Sequence, residues 1–195
     1  MGEDLVCPLE FARRATEARL GDSLAGRVLR SGKKGGPHVG YGRKGKGATI
    51  HLIADGNGLP LSMAVTAATV HETKPVLAML DKIRVHRRRG RPQQRPARLI
   101  ADRGYDSMPL RRALRERNIE PIIPRREWKG RKRRPGRPAG SFVVGRYQGR
   151  WKIERLHAWM DIYRRVAVSW DRTQTAFTAW VTLSCILICM NNILR

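Results

Sequence analysis

Leu99-Ile100-Ala101-Asp102-Arg103-Gly104-Tyr105-Asp106-Ser107 is the stretch on which the fold turns. Arg98 to Ala101 is short and apolar, the signature of a buried strand, and a glycine turn follows it. Asp102 therefore sits at the carboxyl end of a strand, where open α/β sheets build their sites. An aspartate in such a place ordinarily serves a turn or caps a helix. Here Asp106 and Ser107 already offer that chemistry, with Ser107 expected to cap a helix over Met108 to Asn118.

Upstream, Ala48-Thr49-Ile50-His51-Leu52-Ile53-Ala54 is a β-branched apolar run, and Asp55-Gly56-Asn57-Gly58 is the strongest turn signal in the chain. Leu59 to Ala67 returns as the second strand of a hairpin. Val76, Leu77, Leu80 and Ile83 recur at helical spacing, so a helix is expected over Val70 to Ile83. Ser31 to Gly47 is rich in glycine and lysine and reads as a basic loop. Residues 1–23 carry only a weak helical pattern, around Leu9 to Leu20.

Downstream, Ile119 to Ile123 reads as a further short strand, and a basic loop spans Arg125 to Gly140. A long helix is expected from Gly145 to Arg165, with Trp151, Trp159, Met160, Tyr163 and Val166 as its apolar stripe. Asp171-Arg172-Thr173 opens a final apolar helix. Strands and helices in this order make an α/β domain, a sheet with helices on its faces.

Charge decides the partner. Among 195 residues, 40 are Lys or Arg and 16 are Asp or Glu, a formal net charge of +24. Self-repulsion on that scale calls for a polyanion, and nucleic acid is the obvious one. Arg89-Gly90-Arg91-Pro92 and Pro135-Gly136-Arg137-Pro138 have the core of a minor-groove hook, although plain phosphate binding is the simpler role for such loops. Arg89, Arg91, Arg131, Lys132, Arg133, Arg134 and Arg137 are the candidate DNA contacts there. Trp128 and Trp151 are large enough to stack on unpaired bases; for Trp151, core packing within the helix stripe is the better expectation.

Several classes fall away. The three cysteines, Cys7, Cys185 and Cys189, follow no disulfide or zinc spacing, and the last two read as buried thiols. No signal peptide is evident at Met1-Gly2-Glu3-Asp4. The apolar run from Ala176 to Met190 falls short of a bilayer span and is broken by Thr178, Thr182 and Ser184. A cytoplasmic, nucleoid-associated protein with no membrane partner is the expectation. No phosphate loop, Ser-His-Asp set or paired CxxC motif is visible. A plain RNA-binding or ribosome-associated protein needs charge but no ordered carboxylates.

In so basic a chain, a few gathered carboxylates form a local negative hole. Such a hole binds Mg²⁺ or Mn²⁺ through oxygen. Glu154, in Trp151-Lys152-Ile153-Glu154-Arg155, is the second candidate beside Asp102; its ordinary role would be a solvated ion pair on a helix.

Taken together, the stretch from Gly45 to Leu194 resembles the DDE transposases of bacterial insertion sequences. The marks are Gly45-Lys46-Gly47 leading into the hairpin, the Asp102 motif, Ile119-Glu120-Pro121-Ile122-Ile123-Pro124-Arg125, and Tyr147, Arg150 and Glu154 in the pattern Y-x2-R-x3-E. The resemblance implies a ribonuclease-H-like mixed sheet flanked by helices over residues 24–195, with 1–23 unassigned. It implies divalent-metal-dependent cleavage and strand transfer on double-stranded DNA, at element ends and target, by a homodimer. Asp102 and Glu154 would be catalytic metal ligands, Asp55 a turn residue, and Tyr147 and Arg150 would support the glutamate and contact DNA.

The chain departs from the family in two places. Asp161 stands where a lysine is usual, with Arg164 and Arg165 nearby as substitute charge. The first catalytic aspartate would fall near Ala25-Gly26, where there is no acid; Asp22 is the nearest and is the candidate third ligand. Without that carboxylate two-metal binding is crippled, and the alternative is a degenerate copy that binds DNA without cutting.

Overall fold

A computed structural model describes residues 20–43, 45–85, 91–126 and 144–194. Its centre is a seven-stranded mixed sheet. The strands are β1 (Asp22–Gly32), β2 (Gly40–Gly42), β3 (Gly45–Ala54), β4 (Pro60–Ala67), β5 (Arg98–Ala101), β6 (Glu120–Ile122) and β7 (Val168–Ser169). The order is β2-β3-β1-β5-β6, with β4 also on β3 and β7 also on β1. β1 runs antiparallel to β3 and parallel to β5, and β5 runs parallel to β6.

Strand alternation splits the core in two. Leu24, Ile50, Leu52 and Ile100 face one side, where they meet Ile153, Leu156, Phe177 and Val181. Ala25, Ile53, Leu99 and Ala101 face the other and meet Val76, Leu80, Leu110 and Leu114. The helices follow this division. α1 (Val76–Asp81) and α2 (Met108–Glu116) cover the second face; α4 (Trp151–Asp161) and α6 (Gln174–Ile193) cover the first, and α3 (Val144–Tyr147) and α5 (Arg164–Ala167) are single turns. This is the sheet flanked by helices expected from sequence, with β1 beginning inside the unassigned segment, at Asp22.

The hairpin, the strand before Asp102 and the strand at 120–122 stand where the sequence puts them. The Ser31–Gly47 stretch is less of a loop than expected: it contains the end of β1, all of β2 and the start of β3, because its glycines let neighbouring strands approach closely. The helix expected over Val70–Ile83 shrinks to Val76–Asp81. Pro75 stands at its N-cap and has no N–H to donate to an earlier turn.

Ser107 holds the N-cap position of α2, but its hydroxyl makes no capping bond. Pro109 occupies the second helical position, so one of the two N–H groups an N-cap side chain can reach is missing. Thr173 does cap α6, accepting from Ala176 N at 3.3 Å.

The long helix expected at 145–165 is broken into α3, a 3-10 turn over Gln148–Arg150, α4 and α5. Gly149 weakens the first junction, and Tyr163 is extended at the last. The buried stripe is Ile153, Leu156 and Met160. Trp151 is 53% exposed and lies against the Arg155 guanidinium at 4.8 Å, so the core position expected for it is not realised. Cys185 and Cys189 are buried, as expected. Among the described residues one helix, Gln174–Asn192, is long and apolar enough to cross a membrane by length and composition, yet Phe177, Val181, Cys185 and Ile188 on it are buried in the core.

Candidate active site

The site grows from two neighbouring parallel strands. The register pairs Ala25 with Ala101, so the next residues, Gly26 and Asp102, are neighbours at the carboxyl end of β5. Asp102 leaves the strand extended and accepts a hydrogen bond from Gly104 N at 2.9 Å. This bond closes the Arg103–Tyr105 turn and fixes the carboxylate at the sheet edge.

Gly26 points the other end of this geometry at α4. A β-carbon there would meet Ile153 Cγ1 at 2.7 Å and His157 Nε2 at 3.0 Å. The strand position beside Asp102 thus carries no acid, and helix side chains fill the space. α4 packs across β1 and β3, which brings Glu154, the residue after Ile153, to the same side of the sheet.

Glu154 is exposed and forms an ion pair with Arg150, four residues earlier. The Arg150 charge also reaches Tyr105 and His157: it opposes the upward push on the Tyr105 hydroxyl and adds to the downward push on His157. Burial is the main cause of the Tyr105 shift, followed by the charges of Asp102 and Glu72. Arg150 therefore lies within electrostatic reach of the Asp102 turn. Tyr147 is half-buried and packs against the first-face core.

Asp22 does not join them. It begins β1 opposite Arg98 and is bound by the Arg98 guanidinium at 2.7 Å. It lies four positions before Gly26 on the strand, about 13 Å at the usual rise. Asp161, the other departure from pattern, is ion-paired with Arg30 of β1, so a cation does stand at that point. Arg164 is exposed, and Arg165 lies over Trp180 at 5.6 Å.

Sequence reasoning did not find Glu72. It is buried, ion-paired with Arg27, and presses on the Asp102 turn: a β-carbon on Gly104 would stand 2.1 Å from Glu72 Oε1 and 3.0 Å from Asp102 Oδ1. Glu72 precedes α1 by a few residues, and no local pattern connects it with Asp102; only the fold does.

Asp55 serves the hairpin turn. It accepts from Asn57 N at 2.9 Å and Leu59 N at 2.8 Å. Burial raises its carboxyl, and the backbone bonds and Lys152 partly offset this. Lys152 and Arg155 of α4 donate to the Gly56 and Asn57 carbonyls, at 2.5 and 2.7 Å, tying the turn to the helix that bears Glu154.

Of the candidate DNA contacts, Arg91 is exposed, and Arg89, Arg131, Lys132, Arg133, Arg134 and Arg137 lie outside the described residues, as does Trp128. Among the described residues no three His, Cys, Asp or Glu side chains cluster as a metal cage. Asp102 and Glu154 offer two carboxylates. That suits Mg²⁺ or Mn²⁺, which take one or two protein carboxylates and complete their shell with water and phosphate oxygen.

Comparison with known proteins follows the same lines. The family model "Transposase DDE domain" matches residues 15–190. A Burkholderia cepacia protein put forward as the transposase for insertion sequence element IS402 is 37% identical over 216 residues, spanning 100% of this chain and 97% of the relative. Among solved structures, the piggyBac transposase in its synaptic complex with hairpin DNA superposes with a TM-score of 0.52 at 11% identity. That match covers 87% of this chain and 46% of the piggyBac chain, less than half its length, and it bears on the fold alone. The mixed sheet with helices on both faces is accordingly of the ribonuclease-H-like α/β type. With a family match along most of its length and a relative matched nearly end to end, the chain belongs to the DDE transposases, the DNA-recombining enzymes of insertion sequences.

Proposed function

We propose that this chain acts on double-stranded DNA, at the ends of its element and at the target, by divalent-metal-dependent phosphodiester cleavage and strand transfer. Asp102 and Glu154 hold Mg²⁺ or Mn²⁺. When bound, such an ion activates water and offsets charge on the phosphodiester. The observation that carries this reading is the placement of Asp102 at the carboxyl end of β5, beside central β1, with α4 and Glu154 laid across that strand. Arg150 is ion-paired with Glu154, and its guanidinium would be available to phosphate if a cation held that carboxylate. Tyr147, Arg91 and the basic loops, with Arg89, Arg131, Lys132, Arg133, Arg134 and Arg137, grip the backbone.

One observation favours a second reading, a copy that binds DNA without cutting. The residue beside Asp102 is Gly26, and Asp22 is held by Arg98 out of reach. Nicking of supercoiled plasmid with Mn²⁺ separates the two. Under the first reading the native protein nicks, Asp102→Ala and Glu154→Ala abolish nicking, and Asp22→Ala keeps it. Absence of nicking in native protein that still binds duplex DNA selects the second.

A further inference from the structure

Glu72 lies in the segment between β4 and α1 and is only 7% exposed. A carboxylate is rarely buried without a partner. Arg27 of β1 supplies one, through an ion pair from its Nε to Glu72 Oε2. The other oxygen, Oε1, stands at the Asp102 turn. A β-carbon on Gly104 would collide with Glu72 Oε1 and would meet Asp102 Oδ1 at 3.0 Å. Two carboxylate oxygens from distant segments thus border one small space, which is open because residue 104 has no side chain. Their charges also converge on Tyr105: after burial, Asp102 and then Glu72 push its hydroxyl upward.

Two carboxylates brought this close repel each other. Arg27 offsets Glu72 through Oε2, and Asp102 Oδ1 accepts the Gly104 N–H at 2.9 Å. A cation between Glu72 Oε1 and the Asp102 carboxylate turns the repulsion into attraction. An ion of the Mg²⁺ type binds oxygen at about 2.0–2.1 Å, so a gap of side-chain size between two acids suits it. No other acid is placed to complete the site on this strand: Gly26 carries none, and Asp22 is held by Arg98 at the start of β1.

We propose that Glu72 is a metal ligand of the Asp102 site, supplying through Oε1 the carboxylate that position 26 lacks. The proposal rests on the reading that Asp102 and Glu154 hold a divalent ion, and it adds an oxygen donor to that ion. Among the described residues the three acids do not form a closed cage. Glu72 need not leave Arg27, because their pair uses Oε2, and Arg27 then serves as the outer partner that fixes the ligand. Glu154 reaches the ion by exchanging Arg150 for it.

The test is Mn²⁺ titration of the DNA-free full chain at fixed ionic strength, followed by electron paramagnetic resonance, with circular dichroism to confirm folding. Glu72→Gln keeps the shape of the side chain and removes its charge. It should raise the Mn²⁺ Kd about tenfold or more, since even outer partners of metal ligands are worth that much. Arg27→Met/Glu72→Gln removes both members of the pair, leaves no buried charge unpaired and does not change the net charge. It should bind Mn²⁺ as weakly as the single variant, and it decides the matter if the single variant fails to fold. Were Glu72 only a structural partner for Arg27, the double variant would bind Mn²⁺ like the native chain, and that result would overturn the proposal. Native affinity in Glu72→Gln would overturn it too. If Asp102→Ala and Glu154→Ala lose Mn²⁺ while the Glu72 variants keep it, the proposal alone fails. If Asp102→Ala and Glu154→Ala bind like the native chain, the reading beneath it fails as well.

Discussion

Position 26 is where a carboxylate partner for Asp102 would stand, and it is a glycine under a helix. Ile153 and His157 occupy the space that its side chain would need. Gly26→Ala should therefore lower unfolding stability by about 1–3 kcal/mol through overpacking. The loss should shrink in an Ile153→Ala background, because alanine lacks the Cγ1 that the new β-carbon would meet at 2.7 Å. Chemical denaturation of the single and double variants measures this, and an additive loss would show that Ile153 is not the obstacle. The Asp102 motif was legible because a short buried strand, a carboxylate and a glycine turn are local features. Gly26 was legible only as an absence. Glu72, which touches the same turn, was not legible, since its proximity arises from the crossing of distant segments.

Elements were read well where one period ran unbroken and poorly where backbone chemistry intervened. The hairpin, β5 and β6 follow from apolar runs and turn residues. The break-up of the 145–165 helix does not, because Gly149 and the extended Tyr163 interrupt a pattern that periodicity alone would continue. β3 has a feature with a measurable consequence. His51 is buried on it, hydrogen-bonded to Thr66 at 2.8 Å, and burial together with the Arg27 charge lowers its pKa to about 4. A histidine depressed in the folded state binds its proton more readily when unfolded. Stability is therefore full above about pH 6.5 and falls as pH drops toward about 4. His51 alone should cost about 2 kcal/mol between pH 7 and pH 5. Urea unfolding at the two pH values should show this loss, and His51→Gln should reduce it by that amount; an unchanged slope would mean that His51 does not titrate in that window.

At the scale of the whole molecule, the excess of 40 basic over 16 acidic residues was the most accessible fact in the sequence and sets the behaviour with DNA. Affinity for random duplex should fall on the order of a thousandfold or more between about 50 and about 200 mM salt if six or more phosphates are contacted. Filter binding or fluorescence anisotropy measures this, and a fall under about tenfold would contradict a phosphate-dominated grip. The same fold that presents this charge lays α4, which bears Glu154, across the strand beside Asp102, and the central claim is that Asp102 and Glu154 share a divalent ion there. Mn²⁺ titration followed by electron paramagnetic resonance tests it most directly. The account predicts one bound ion per chain, lost in Asp102→Ala and in Glu154→Ala and retained in Asp22→Ala. Binding that survives both of the first two substitutions would contradict it.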